Sequence, residues 1–342
     1  SAVGREREAG ERAMVSGWAS SLRELSLRAS AEEESLDVRG VLWLEHVNLA
    51  VGDRSQAEAF YIDFLGLTSD PSPSFHVNLG MQQFHLQLDA PAMRISGVVG
   101  LALPSLDTIR ARKGNAATAL KGTEFTILHD VPESMLVRCP WGNVFLCMPM
   151  SPAAAAPTVV PPPPKLVAMQ TDLDRGMGVV GGPGIRFVEF IVPRGKAWAA
   201  GRFYEQMLGC DVAYSSAELT GGGAVAIVCM GPNVHVCMSE GPDGSGLTDE
   251  QAAFMQGVHI AIYISGFRRV FEEFERRELV WTNPRFVHLD TCGSWEEARA
   301  CRQFRFRYVI DPENCEQVIE LEHETRALRH FQYRKTVTYV PT

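Results

Sequence analysis

Four histidines sit inside strand-like apolar runs: His46 in EHVNLAV, His85 in QQFHLQL, His235 in VHVCM and His259 in HIAIYI. An imidazole changes charge near neutral pH and is a common metal ligand. A lone strand histidine also serves as an ordinary packed or surface group. Arg305 and Arg307 alternate on one late strand and suit an anionic substrate, or equally a solvated strand face. His76, His129, His288 and His330 have no such placement and read as structural. The eight cysteines form no CxxC pair, and several lie in apolar runs (VFLCM, AIVCM, VHVCM). They read as small buried hydrophobes in a reducing compartment rather than as disulfide partners or zinc ligands. Gly221, Gly222 and Gly223 fall between two strand-like runs with no helix start or lysine after them. They read as a hairpin turn, not a phosphate cradle.

The elements that must position these groups come from a repeat. Glu45 to Leu67, EHVNLAVGDRSQAEAFYIDFLGL, returns in diverged form as Arg186 to Val212, RFVEFIVPRGKAWAAGRFYEQMLGCDV. Each copy is an apolar strand, a turn, then a helix with an aromatic pair (Phe60-Tyr61, Phe203-Tyr204) that closes on Leu-Gly. Strand, turn and helix start again at ISGVVGLALPSLDTIRARKG and at HIAIYISGF, and further alternating runs follow each start. The spacing predicts four units of strand, helix and three strands. Residues 151–184, with AAAAP, PPPP and GGPG, cannot sustain helix or sheet and read as a semi-rigid linker. The expected division is a leader at 1–40, a first domain at 41–150, the linker, a second domain at 185–325 and a tail at 326–342.

The chain has 342 residues, 46% apolar and 21% charged, with a formal charge of −9. That composition allows a real core and gives no apolar run long enough to span a membrane. Its acidity excludes phosphate-backbone binding, which needs clustered Lys and Arg, so nucleic acid is not an expected partner. The leader carries Trp18, Leu22, Leu25 and Leu27 at helix-like spacing before Glu32, Glu33 and Glu34, and has no signal-peptide core. It reads as a solvated, partly helical lead-in. A protein partner could be engaged through it. The expected location is the cytoplasm, or an organelle if the leader is a targeting remnant.

These units resemble the vicinal oxygen chelate superfamily, which includes glyoxalase I, bleomycin- and fosfomycin-resistance proteins and extradiol dioxygenases. The resemblance rests on HVNLAVGD with FYIDFLGL, on HIAIYISGF, and on DPENCEQVIELEHE, which is similar to the family's closing strand with an insertion at Asn314 to Glu316. It covers nearly all of residues 41–325. It implies an α+β fold in which four βαβββ units form two paired, curled mixed sheets. It also implies that each unit offers two positions to a shared cavity, one early in its first strand and one central in its last.

Those positions are His46 and Gln87 in unit one, Val98 and Leu146 in unit two, Phe187 and Cys237 in unit three, and His259 and Glu320 in unit four. Units one and four are equipped; two and three are stripped. If unit one pairs with four, as in single-chain fused glyoxalases, then His46, Gln87, His259 and Glu320 converge on one site for Zn, Ni, Co, Fe or Mn. Glu320 is then also the expected proton carrier. His85 and His235, two residues before Gln87 and Cys237, share the ligand face and are expected to line the substrate cavity or replace a ligand on a shifted strand. Arg305 is the expected anion contact. Glu45 and Glu189 neighbour ligand positions, and strict alternation turns them away.

Glyoxalase I holds glutathione through groups at positions occupied here by Ala50, Pro91 and Met255, so the metal set is retained without those anchors. The resemblance thus implies a metal-dependent, glyoxalase-like enzyme acting on a small oxygenated substrate by bidentate chelation and proton transfer. Two alternatives stand beside it. One is a non-catalytic member acting as a small-molecule binder or complex subunit. The other is an Fe(II) extradiol-type dioxygenase, for which His46, His259 and Glu320 supply the residue types.

Overall fold

Branched and aromatic residues at alternate positions make fifteen strands in the computed structural model, which describes residues 40–71, 74–88, 91–150, 182–215, 223–231, 233–241, 246–288 and 290–333. Most of the leader, the linker and the glycine triplet lie outside the described residues, as does the end of the tail. Unit one contributes β1 (Val41–Ala50), β2 (Thr68–Ser69), β3 (His76–Leu79) and β4 (Gln82–Gln87). Unit two contributes β5 (Val98–Leu103), β6 (Thr126–Val131), β7 (Ser134–Arg138) and β8 (Val144–Pro149). Unit three contributes β9 (Gly184–Val192), β10 (Val212–Ser215), β11 (Val225–Cys229) and β12 (His235–Glu240), and unit four β13 (His259–Ile264), β14 (Gln303–Ile310) and β15 (Gln317–Ala327).

The strands form two mixed sheets, with the order β14-β15-β13-β1-β4-β3-β2 in one and β10-β11-β12-β9-β5-β8-β7-β6 in the other. Each sheet takes one unit from either side of the linker. Units one and four meet through β1 antiparallel to β13, and units two and three through β5 antiparallel to β9. Within every unit the first and last strands run parallel. This is the α+β architecture that the resemblance implies.

The helices fill the space between the sheets. In unit one Asp53 accepts from the Gln56 amide at 2.8 Å to start the helix, and Arg54–Ala57 passes into a π-helical segment, Glu58–Phe64. In unit three Ala197–Phe203 passes likewise into Tyr204–Leu208. Gly66 (φ +78°) and Gly209 (φ +77°) take the left-handed conformation that ends these two copies, which is why each closes on Leu-Gly. Phe60 touches Phe145 of the second sheet, while Tyr61 touches Phe84 of the first. Phe203 packs on Phe274 and Phe306. One continuous core therefore joins the two sheets.

Unit four departs from the expected strand–helix–three-strand order. Among the described residues it has three strands, and the place of the missing one is taken by an irregular segment, Leu279 to Gly293, and a short helix, Trp295–Cys301. The segment instead brings Asn283, Phe286 and Asp290 against Glu322 and Arg305, while the exposed Arg285 reaches Gln87.

Candidate metal centre

A β-bulge in β1 builds the inner end of the site. Leu44 pairs with Ile262 and His46 with Ala261, so Glu45 is the extra residue. The bulge interrupts alternation and brings the consecutive side chains of Glu45 and His46 together, with His46 Nδ1 3.1 Å from Glu45 Oε2. Strict alternation had turned Glu45 away; the bulge is the physical reason it lies in the site. Glu45 also accepts from Tyr263 Oη at 3.1 Å and from Arg326.

Across the β1–β13 junction His46 meets His259, edge to face at 5.7 Å between ring centroids. One strand further, Glu324 completes a buried trio: one ligand atom from each of His46, His259 and Glu324 lies within 4.8 Å of the others. Glu324 belongs to a run on β15 (Glu320, Glu322, Glu324, Arg326) that period-two alternation places on one face. His323, between them, turns to the opposite core, stacks on Phe306 and bonds Tyr204 Oη at 2.9 Å.

Two buried guanidiniums organise the acids. Arg305 donates to Glu322 and Glu324 at 2.8 Å each and to Asp290 at 3.3 Å, and lies over the Phe286 ring. Arg326 bridges Glu324 and Glu45. Asn283 donates to both oxygens of Glu322 at 3.0 and 2.9 Å. Four carboxylates (Glu45, Asp290, Glu322, Glu324) thus face two cations in a desolvated space. The nearby arginines hold the Glu324 carboxyl well below its ordinary range despite burial. Burial instead pushes Glu45 and Asp290 up. It also pushes His46, His85 and His259 down, so the imidazoles are neutral, with lone pairs available for coordination.

The donor set fits a divalent cation. His46 Nε2 is buried without a hydrogen-bond partner among the described residues. Such an orphan is costly unless something binds it. The excess of carboxylates over guanidiniums is the charge a divalent ion would balance, and two imidazoles with a carboxylate suit a borderline metal.

The structure brings His46 and His259 together; Gln87 lines the same cavity with its amide committed to other partners, and Glu320 lines a different one. Gln87 donates to Asn48 at 3.0 Å and accepts from Arg285 at 2.8 Å. Glu320 is half-exposed, pairs with Arg307 at 3.3 Å and lines a second cavity of about 680 Å³. Strand register explains both shifts. The parallel partner of the first-strand residue is Gln83 for His46, Val144 for Val98, His235 for Phe187 and Glu322 for His259. Two residues further lie His85, Leu146, Cys237 and Glu324, so equivalent positions in units one and four carry His85 and Glu324. In unit four the register-equivalent position therefore falls on Glu324, four residues beyond Glu320. The closing strand runs on to Ala327, past the boundary at 325 that the sequence suggests for the second domain.

His85 stacks between His46 and His76, each at 3.6 Å, and its Nε2 meets Gln83 at 3.0 Å. His76 therefore belongs to the cavity wall, as does His330. The cavity has a volume of about 770 Å³. Trp43, Tyr263, Met81 and Tyr333 form an apolar patch along it. Arg305, expected to hold an anion, has its donors committed to three protein carboxylates.

His235 lies in the other sheet, where the matching concavity is filled. Leu146, Phe187, Val225, Ile227 and Cys237 form one small apolar cluster, with Val98 packed against it. Phe187 stands opposite Gly100, where a Cβ would come within 2.2 Å of its ring. Burial lowers His235 to about 4. Glu189 is buried and accepts from the Val98 amide at 3.1 Å. All eight cysteines are free, and burial raises Cys139 to about 11 and Cys147 to about 12, which leaves these two unreactive. Among the described residues no helix is long and apolar enough to cross a membrane.

No family model and no curated protein matches the sequence. Among solved structures the chain is similar to glyoxalase I from Zea mays, at 12% identity over 83% of this chain and 92% of that one, with a TM-score of 0.48. It is also similar to an extradiol ring-cleaving dioxygenase from B. fuscum, at 15% identity over 84% and 72% of the two chains and a TM-score of 0.27. A glyoxalase/bleomycin resistance protein from Albidiferax ferrireducens T118 aligns with 31% of this chain over 98% of its own length, at 18% identity and a TM-score of 0.26.

Proposed function

We propose that the chain is a metal-dependent enzyme acting on a small oxygen-bearing substrate. The observation that carries this reading is the buried convergence of His46, His259 and Glu324 at the end of an open cavity, with the Nε2 of His46 unpartnered. These three residues would be the ligands, with His85 stacked behind His46. A divalent ion held there would polarise substrate oxygens and stabilise negative charge developing on them.

The rest of the chemistry belongs to the chain itself. Asp290 reaches the cavity from the irregular segment of unit four, and its Oδ1 is buried without a partner among the described residues. Burial raises its carboxyl against the opposing pull of Arg305, so it holds a proton more readily than a solvated aspartate. Asp290 therefore replaces Glu320 as the proton carrier in this reading. Phe286 and the Trp43–Tyr263 patch would orient the apolar part of the substrate and exclude water.

Two histidines and one carboxylate are also the ligand types of non-haem iron(II) oxygenases, which makes ring-cleaving dioxygenation the second reading. Metal analysis of protein from metal-replete cells, repeated after reconstitution with zinc, manganese or iron(II), tests both. One ion per chain, lost in His259→Ala, is expected. Turnover supported by iron(II) alone and accompanied by oxygen uptake selects the second reading. A protein that takes up no ion under either condition overturns both and leaves a metal-free binder, in which Arg305 and Arg326 hold Glu324 permanently.

A further inference from the structure

We propose that Glu45 is a positioning residue that fixes the tautomer of His46 and so aims its Nε2 lone pair at the metal centre. The inference rests on the metal reading above but stands on separate geometry. Glu45 occupies the bulge in β1, the one place on that strand where a residue adjacent to His46 can reach its ring. Its two oxygens have distinct partners. Oε1 accepts from Tyr263 Oη at 3.1 Å, and Oε2 accepts from Arg326 and lies 3.1 Å from His46 Nδ1.

A carboxylate already accepting from a guanidinium and a phenol offers only lone pairs to a third neighbour, so His46 Nδ1 carries the proton and donates. A neutral imidazole has one N–H, and placing it on Nδ1 leaves Nε2 bare. That is the nitrogen with no hydrogen-bond partner among the described residues. His259 likewise turns its Nε2 toward Glu324, at 3.8 Å. Metal-binding histidines generally donate their second N–H to such a partner, which sets ring orientation. Tyr263 and Arg326 hold Glu45 in turn, and Arg326 also touches Glu324. One guanidinium therefore links the supports of two ligands.

The test uses the full chain and zinc alone. In metal-free protein, long-range ¹⁵N–¹H correlation spectra should show His46 protonated at Nδ1 and bare at Nε2. Glu45→Gln, which keeps the size but leaves one acceptor oxygen for three donors, should mix the two tautomers. Its zinc affinity, measured by competition against a chelator, should fall roughly 10- to 100-fold. Tyr263→Phe should give a smaller loss in the same direction and decides the affinity question if Glu45→Gln fails to fold. A His46 protonated at Nε2, or variants that hold zinc as tightly as the natural chain, would overturn the inference. If the natural chain binds no zinc yet shows the Nδ1 tautomer and loses it in Glu45→Gln, the metal reading fails and the positioning of His46 stands. If zinc binds and Glu45→Gln changes neither readout, the positioning fails and the metal reading stands.

Discussion

The two sheets present the same crossing of strands with different occupants. In one, Asn48 opposes His259 beside His46, His85 and Glu324; in the other, Gly100 opposes Phe187 beside Val98, Leu146 and Cys237. The first concavity holds buried imidazoles, carboxylates and guanidiniums, an arrangement that is expensive to desolvate. The second holds an aromatic ring and aliphatic groups, which stabilise by leaving water. Gly100 exists to admit the Phe187 ring. A shared backbone geometry thus supports either a reactive site or a plug, and the choice lies in a handful of side chains at register-equivalent positions.

Exchanging losses between the two concavities tests this contrast most severely. Phe187→Ala should cost about 3–5 kcal/mol of unfolding free energy by denaturant titration and leave metal content unchanged. His259→Ala should abolish metal binding by elemental analysis without a stability loss of that size. If both variants lose metal, the second concavity is not an independent plug.

Arg305→Met comes next, because it strands Asp290, Glu322 and Glu324 in a buried space. It should destabilise the metal-free protein by about 3 kcal/mol or more. Added zinc should restore part of the loss, whereas the same cation should do nothing for Phe187→Ala. A comparable rescue of both variants would show that the charge balance is not specific to the polar concavity.

Asp290→Asn should keep the metal and lower turnover about 100-fold, in line with loss of a general base. Unchanged turnover would return the proton-carrying role to another group.

The remaining test reads pH dependence. Burial lowers His235 to about 4 and His323 to about 3. As pH falls below about 6.5 the unfolded chain takes up protons that the folded chain refuses, so stability decreases. Each group contributes about 1.4 kcal/mol per pH unit until its folded value is reached. His323→Phe should flatten the slope of unfolding free energy between pH 6 and 4; an unchanged slope would mean that His323 is not buried neutral.

Much of the fold was legible because it is periodic. Alternating apolar runs, the aromatic pairs and the Leu-Gly closures mark units one to three. The polar residues of unit four's closing strand were visible, but three glutamates at period two (Glu320, Glu322, Glu324) are indistinguishable without a partner strand. The irregular segment that carries Asn283, Arg285 and Asp290 has no periodic signal that sets it apart from an ordinary unit.

The residue types by themselves determined that units one and four carry ligand-forming groups while Val98, Leu146, Phe187 and Cys237 do not, because side-chain chemistry is local. Only the tertiary structure decided which of those groups meet. Register selects His85 over Gln87 and Glu324 over Glu320, and a one-residue bulge brings Glu45 beside His46. Strand pairing across more than two hundred residues sets these relations. Hydrogen bonds and packing between distant segments, not the chemistry of any one segment, determine the register.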